Sequence, residues 1–231
     1  MANPTFAEKV IQFNRQLNFQ GTLPAGFGIM NPFREDVRAL ASSEAFYLKY
    51  YNDHQQRKLI LGINPGRFGA GVTGIPFTDP KRLIDICGIP FSGKLEHEPS
   101  SVYVYEVIEA FGGPEAFYGE FYINSVCPLG FTTTGKGGKA VNVNYYDDKS
   151  LTAAVLPFIL ESIQAQIDLG VQREYCFCFG TGKNFEFLSR INEAHRFFGK
   201  IVPLEHPRFI MQYKAKSKQS YINAYLRILG H

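Results

Sequence analysis

The sequence predicts an α/β fold, a three-layer α/β/α sandwich around a central, mainly parallel sheet of four strands. Four short apolar runs, each followed by a turn, lie at residues 58–63, 120–126, 174–180 and 200–205. Their nearly continuous apolar character is typical of strands that are covered on both faces. Helical patterns alternate with these runs, and that order favours parallel strands with helices on both sides of the sheet.

Helix signals lie between and around the four strands. Asp79 followed by Pro80 predicts an N-cap and a first helical residue. Pro157 predicts the start of another helix in the same way, and Gly170 predicts its end. With the segments of helical apolar spacing, the predicted helices cover residues 6–17, 80–87, 102–111, 157–169, 184–190 and 220–229.

Length and composition set the broad class of the protein. The chain has 231 residues, 45% of them hydrophobic and 15% aromatic, which suits a single domain spanning residues 1–231. A net charge of +3 allows a polyanionic partner without requiring one, and it excludes a strongly acidic chain. No run of 18 apolar residues is present, so no membrane association is expected. The first residues do not resemble a secretory signal, so we expect a cytoplasmic protein.

The four cysteines do not form a metal-binding pattern. Cys176 and Cys178 share one face of a predicted strand, and Cys87 and Cys127 are isolated. Iron–sulfur clusters use runs such as C-x2-C, and none occurs here. We therefore expect buried, unreactive thiols and no metal site.

Polar or glycine-rich segments follow all four predicted strands. These segments are 64–66, 124–125, 180–183 and 206–208. In open α/β sheets, ligands bind beyond the carboxyl ends of the strands, where such segments meet. The sequence therefore predicts a ligand site at this edge of the sheet.

The segment 62–77 contains five glycines and two prolines, which predicts a tight loop that a ligand can approach closely. The amide of Asn64 can hold a water molecule or a ligand edge, but it cannot act as a strong base. Asn64 followed by Pro65 is also ordinary turn chemistry. Phe77 has two interpretations, packing in the core and stacking on a ligand.

Three motifs resemble those of uracil-DNA glycosylases of the single-strand-selective monofunctional type. Residues 62–77 resemble that family's G-M-N-P-G-P-F-G followed by T-G-V-P-F. Residues 121–129 resemble F-V-H-N-L-C-P-L, and residues 206–208 resemble the start of H-P-S-P-R. Arg67 stands where the family has proline, and the Ser-Pro of the last motif is missing, so the chain resembles a divergent branch.

The resemblance implies a monofunctional DNA glycosylase. Such an enzyme flips a uracil out of DNA and hydrolyses its N-glycosidic bond, which begins base excision repair. By position, Asn64 matches the residue that positions the attacking water, and His206 matches the one that hydrogen-bonds the pyrimidine O2. The implied base-binding residues are Ile63, Gly66, Phe77 and Asn124. The family needs no cofactor, and we expect a monomer whose partner is DNA, associated with the nucleoid if the source is bacterial.

Further residues are predicted to contact DNA outside the base pocket. The segment Arg208, Phe209 and Ile210 is the candidate wedge that fills the gap left by the flipped base, although its two apolar residues could instead pack on the domain. Lys183 follows a strand and begins a helix, where a phosphate could bind, and a simple tight turn is the other interpretation. Lys136 and Lys139 lie in a polar loop, 132–149, that either contacts phosphates or is only solvated.

Two alternative functions remain open from the sequence. The Gly-Ile-Asn-Pro-Gly start also resembles mismatch-specific glycosylases, and a xanthine-directed enzyme of the same superfamily is a related possibility. Mismatch-specific enzymes usually lack the last motif's histidine, so His206 favours the first assignment. A DNA-binding module that has lost turnover is the third candidate, and the presence of both Asn64 and His206 speaks against it.

Overall fold

Two β-sheets form the framework of the protein, which is described here by a computed structural model for residues 3–231. The strands are β1 (Phe27–Met30), β2 (Lys58–Gly62), β3 (Phe121–Ser125), β4 (Gly130–Thr134), β5 (Ala140–Val143), β6 (Tyr175–Phe179) and β7 (Lys200–Leu204). The helices are α1 (Phe6–Gln16), α2 (Pro32–Glu35), α3 (Val37–Tyr50), α4 (Ala70–Thr73), α5 (Pro80–Asp85), α6 (Pro99–Ala110), α7 (Pro114–Glu120), α8 (Lys149–Asp168), α9 (Lys183–His195), α10 (Pro207–Tyr213) and α11 (Lys218–Leu229). Two short 3₁₀ turns lie at Lys136–Gly138 and Ala215–Ser217.

The larger sheet contains the four strands predicted from the apolar runs. Its order is β3-β2-β6-β7, and every neighbouring pair is parallel. Gly62, the last residue of β2, pairs with Ser125, and Phe179 pairs with Leu204. The strands therefore end at one edge of the sheet, and the predicted α/β class with a central parallel sheet is confirmed.

The smaller sheet was not predicted. Strands β1, β4 and β5 form it in the order β1-β4-β5, with antiparallel pairs throughout. The predicted polar loop 132–149 is therefore wrong over its first half, where Thr134 pairs with Ala140 across a hairpin. Strand β5 is an edge strand whose first three residues are exposed, so it lacks the apolar signal by which buried strands are recognised.

Helix α8 begins eight residues earlier than predicted. Asp148 is its N-cap, and its carboxylate accepts the backbone N–H groups of Ser150 and Leu151 at 2.8 and 3.0 Å. Pro157 lies inside the helix rather than at its start. Pro157 and Ala153 are both exposed, so the Ala153 carbonyl that loses its helical partner can bond to water.

Helix α8 has the length and apolar composition of a membrane-spanning helix. Its 20 residues include an 18-residue window of mean hydropathy 1.3. Val155, Ile159 and Ile163 on one face are fully buried in the hydrophobic core. Packing of that face in the protein's own core accounts for the apolar composition.

The predicted burial of the cysteines is confirmed, since all four are buried, and none forms a disulfide in the described residues. Within residues 3–231, no group of three or more His, Cys, Asp or Glu side chains is arranged to hold a metal ion. Burial raises the pKa of the Cys127 and Cys178 thiols to about 12, so they remain neutral at ordinary pH.

Candidate active site

A cleft of about 530 Å³ lies at the carboxyl edge of the parallel sheet. Residues at the end of each of the four strands or directly after it line the cleft, as the sequence predicted for a ligand site. Its volume falls in the range usual for small-molecule pockets. Among the predicted site residues, those on its wall are Ile63, Asn64, Gly66, Phe77, Lys183, His206, Arg208 and Phe209.

The side chain of Asn64 is held in one orientation. Its Oδ1 accepts the backbone N–H of Tyr145 at 3.1 Å, and its Nδ2 donates to the carbonyl oxygens of Val143 at 3.3 Å and Pro65 at 3.4 Å. Both amide hydrogens are thereby used, whereas Oδ1 keeps one lone pair. Asn64 can therefore accept one further hydrogen bond from a group in the cleft.

Phe77 is fixed on the cleft wall by its backbone and by its neighbours. Its φ of 54° lies in the left-handed region, which is unusual for a residue with a large side chain. The ring packs edge-to-face on Phe179, with 4.9 Å between centroids. Gly62 leaves room for the ring, since a Cβ there would lie 2.8 Å from the Phe77 Cε2. Backbone strain of this kind is commonly found at functional sites.

His206 presents a neutral donor to the cleft. It is the N-cap of α10, and its Nδ1 accepts the backbone N–H of Arg208 at 3.1 Å. Burial, aided by the positive charge of Arg208, lowers the pKa of His206 to about 4. The ring is therefore neutral near pH 7 and carries its hydrogen on Nε2. Its centroid lies 6.1 Å from that of Phe77, so a donor and an aromatic face share this part of the cleft.

The base-reading role of Asn124 stays a prediction, and the residue lies beside the cleft and not on its wall. Successive side chains on a strand point to opposite faces, and here Ser125, not Asn124, lines the cleft. The Asn124 amide donates to the Tyr122 hydroxyl at 2.6 Å and accepts the Ser125 N–H at 2.8 Å. It borders a cavity of about 10 Å³ that shares Pro65, Ala70 and Pro76 with the wall of the cleft.

Comparison with known proteins assigns the family. The sequence model of the Uracil DNA glycosylase superfamily matches residues 48–230. The chain belongs to the uracil-DNA glycosylase superfamily. It is also similar to the crystal structure of wild-type Pedobacter heparinus SMUG2, with 62% sequence identity and a TM-score of 0.95 over 97% of this chain and 96% of that one. The chain is thus a DNA glycosylase, a hydrolase of base excision repair, and the resemblance stated from the motifs is confirmed.

The predicted wedge is a helix in this uracil-DNA glycosylase homologue. Residues 208–210 lie in α10, which begins directly after His206 with Pro207 as its first residue. Ile210 is fully buried, so its predicted DNA contact is corrected to a packing role. Phe209 is 38% exposed at the cleft. Of the two apolar wedge candidates, only Phe209 has a surface that DNA can reach.

The predicted lysines occupy two different places. Lys183 lies on the cleft wall at the start of α9, with its Nζ 6.0 Å from the centroid of the Tyr146 ring. Lys136 and Lys139 are exposed at the turn of the β4–β5 hairpin and do not line the cleft. A phosphate bound by Lys183 would lie next to the cleft. A phosphate bound by Lys136 or Lys139 would belong to DNA that extends beyond the cleft.

Several cleft residues were not predicted from the sequence. They include Glu98, Tyr146 and Tyr213. Tyr213 follows Phe209 by one helical turn and is 65% exposed, and helical spacing could have revealed that pair. Glu98 precedes a proline-led helix and carries no motif of its own, so no sequence signal marked it.

Replacing Phe209 by alanine should test the remaining wedge candidate. If the ring enters the duplex, Phe209→Ala should slow uracil release from paired DNA by about tenfold, because unstacking a base step costs a few kcal/mol. Release from single-stranded DNA should change little, since that base is already unpaired. The measurement is the single-turnover rate constant on the two substrates.

The control for this comparison is Tyr175→Ala. Tyr175 is similarly exposed, at 41%, but it lies at the start of β6, on the edge of the sheet opposite the cleft. Equal slowing on paired and single-stranded DNA by Phe209→Ala would exclude the wedge role.

Proposed function

We propose that the protein is a monofunctional glycosylase that removes uracil from DNA by hydrolysis, with His206 and Asn64 as the catalytic residues. The observation that carries this proposal is the neutral His206 ring, which carries its hydrogen on Nε2 and lines the same cleft as the fixed ring of Phe77. DNA is the substrate and the protein acts as a monomer. We propose that it acts in the cytoplasm, in association with the nucleoid if the source is bacterial.

The role of His206 follows from the charge that develops as the bond breaks. The pair of electrons in the glycosidic bond moves onto the pyrimidine, and negative charge builds up on its O2. A donor aimed at that oxygen stabilises the transition state more than the ground state. A neutral imidazole does so without first losing or gaining a proton, which suits the lowered pKa of His206.

The role of Asn64 follows from its hydrogen bonds. With both amide hydrogens donated to Val143 and Pro65, the free lone pair on Oδ1 can accept a hydrogen from a water molecule. Such a bond orients the oxygen of the water without removing its proton. Asn64 is therefore a positioning group for the attacking water, and its contribution is one of geometry.

The products distinguish hydrolysis from strand cleavage. Water attack yields a free base and an intact strand with an abasic site, whereas a lyase needs an amine nucleophile in the pocket. Lys183 also lines the cleft, but its side chain is exposed and its Nζ lies 6.0 Å from the centroid of the Tyr146 ring. We propose that it contacts a phosphate and forms no imine with the sugar.

The first experiment combines product analysis with chemical trapping. Purified protein is incubated with uracil-containing oligonucleotides in the presence of EDTA, and strand breaks are scored before and after alkali. We expect free uracil and breaks only after alkali. Borohydride should trap no protein–DNA adduct. Breaks without alkali, or an adduct that disappears in Lys183→Ala, would refute the monofunctional proposal.

The same assay addresses the range of bases. Oligonucleotides with one uracil, mispaired thymine or xanthine, each single-stranded and paired, are compared under single-turnover conditions. The proposal predicts the highest rate constant on uracil. A higher rate on xanthine or on mispaired thymine would assign the protein to the corresponding alternative within the superfamily.

A further inference from the structure

Glu98 places a carboxylate in the cleft that the proposed mechanism does not use. The residue precedes α6, and its backbone N–H donates to Asp79 Oδ2 at 2.9 Å. Its side chain lines the cleft and does not cap its own helix. Within residues 3–231, no group donates a hydrogen bond to the Glu98 carboxylate. The carboxylate is thus free to bind something that enters the cleft.

The carboxylate lies over the glycine loop of the first motif. A Cβ on Gly69 would be 2.0 Å from Glu98 Oε2, so the carboxylate occupies the place where a side chain at residue 69 would begin. A Cβ on Gly66 would be 3.7 Å from Glu98 Oε1 and 3.4 Å from Asn142 Nδ2. The missing side chain of Gly66 therefore leaves a space between a carboxylate and an amide, which we call the Gly66 recess.

Arg67 holds the amide side of the Gly66 recess in place. Its backbone N–H and its Nε–H donate to Asn142 Oδ1 at 3.4 and 3.1 Å. With Oδ1 so engaged, the Nδ2 group of Asn142 remains available toward Gly66. Arg67, which replaces proline in the family pattern, thereby orients a polar group at the recess.

The charged groups near Glu98 set its protonation. Burial, followed by the negative charge of Asp79, raises the pKa of Glu98 to about 7, and the positive charge of Arg208 acts in the opposite direction. Arg82 and His97 lie against Asp79, at 2.9 and 3.8 Å from its Oδ2. Near neutral pH, Glu98 therefore exists in both forms, and the protonated form can donate as well as accept a hydrogen bond.

We propose that Glu98 determines which substituent the enzyme accepts at carbon 5 of the flipped pyrimidine. This rests on the proposed function, in which His206 bonds the oxygen on carbon 2, and on the base-binding position that the motif resemblance implies for Gly66. Carbon 5 lies directly across the ring from carbon 2, so its substituent meets the Gly66 recess. Hydrogen there leaves room for a water molecule that can bond to Glu98 and Asn142, and an oxygen-bearing substituent can bond to them directly. A methyl group would displace that water and leave both polar groups without partners.

The test compares substituents at carbon 5 in one oligonucleotide sequence. Single-turnover rate constants are measured for uracil, 5-hydroxymethyluracil and thymine with the wild type, Glu98→Met and Glu98→Gln. Met has nearly the length of Glu but no hydrogen-bonding oxygen. Relative to uracil, thymine release should rise at least about tenfold in Glu98→Met, and 5-hydroxymethyluracil release should fall. Glu98→Gln, which keeps a donor and an acceptor, should stay nearer to the wild type.

The pH dependence separates a recognition role from a structural one. In the wild type, the ratio of 5-hydroxymethyluracil to uracil release should change between pH 6 and pH 8, and in both Glu98 variants it should be constant. Glu96→Met is the control, because Glu96 lies in the same segment and pairs with Lys94 outside the cleft. Melting temperatures of all variants are measured alongside.

Each outcome decides between the two proposals. A wild type that releases no uracil would refute the proposed function itself. An active wild type whose Glu98 variants keep the same ratios among the three bases, or slow on all three equally, would refute the specificity role while leaving the proposed function intact.

Discussion

Replacing His206 by alanine should lower the single-turnover rate of uracil release by about a hundredfold or more, the usual effect of removing one transition-state donor. Affinity for DNA that carries a non-cleavable 2′-fluorodeoxyuridine should fall much less, because the bond to O2 strengthens only as charge develops. Equal losses in rate and affinity would show that His206 acts in the ground state.

A second variant separates catalysis from folding. His206 also caps α10 through Nδ1, and losing a cap costs about 1 kcal/mol of stability. Asparagine is a favoured N-cap residue but cannot place a donor where Nε2 lies. His206→Asn should therefore be as slow as His206→Ala while melting closer to the wild type. The control, His195→Ala, removes an exposed histidine at the end of α9 and should retain full activity.

The lowered pKa of His206 has a consequence for the pH profile. A histidine that stays neutral down to about pH 4 loses no donor function between pH 7 and pH 5. Protonation of this ring should therefore cause no loss of rate in that interval. In the unfolded chain the same histidine titrates near its ordinary value, so its contribution to stability falls as the pH drops below about 6.5.

Asn64→Ala should slow uracil release by about a hundredfold, because a poorly positioned nucleophile loses much of the advantage of proximity. The variant also leaves the buried N–H of Tyr145 without its partner, which should lower stability by about 1 to 3 kcal/mol. Rate constants are therefore measured well below the melting temperature of the variant, under single-turnover conditions.

The control for Asn64 is Asn223→Ala, which removes an amide from α11 that bonds only to Gln219 on the same helix. Binding of the non-cleavable DNA should remain within a few-fold of the wild type for both variants. A folded Asn64→Ala protein that released uracil at the normal rate would remove Asn64 from the mechanism.

The parallel sheet could be predicted because its strands are buried on both faces. Burial on both faces requires continuous apolar runs, and those runs are visible in the sequence. Strand β5 could not be predicted in this way, since one edge of the smaller sheet is open to solvent. The predicted helix is shorter than α8 because proline is commonly the first residue of a helix, and Pro157 was interpreted in that way. The N-cap Asp148 marks the true start.

The site residues that lie in sequence motifs could be predicted, whereas those that folding alone brings to the cleft could not. Asn64, Phe77 and His206 lie on the cleft wall as the motifs predicted. Asn124 and Ser125 differ by one strand position, and only the three-dimensional alternation of side chains shows which one faces the cleft. Glu98 reaches the glycine loop from a segment distant in sequence, and no local pattern records such a contact.

The way in which Phe77 is held affects the thermodynamics of base binding. Its ring is confined between Phe179 and Gly62, and its backbone is held in the left-handed region before any ligand arrives. A side chain that is already immobile loses little conformational entropy when a base stacks on it, whereas ordering a free aromatic side chain on binding opposes association. The conformational entropy of Phe77 is therefore lost during folding and not on binding. The flipped base stacks on a ring that needs no rearrangement.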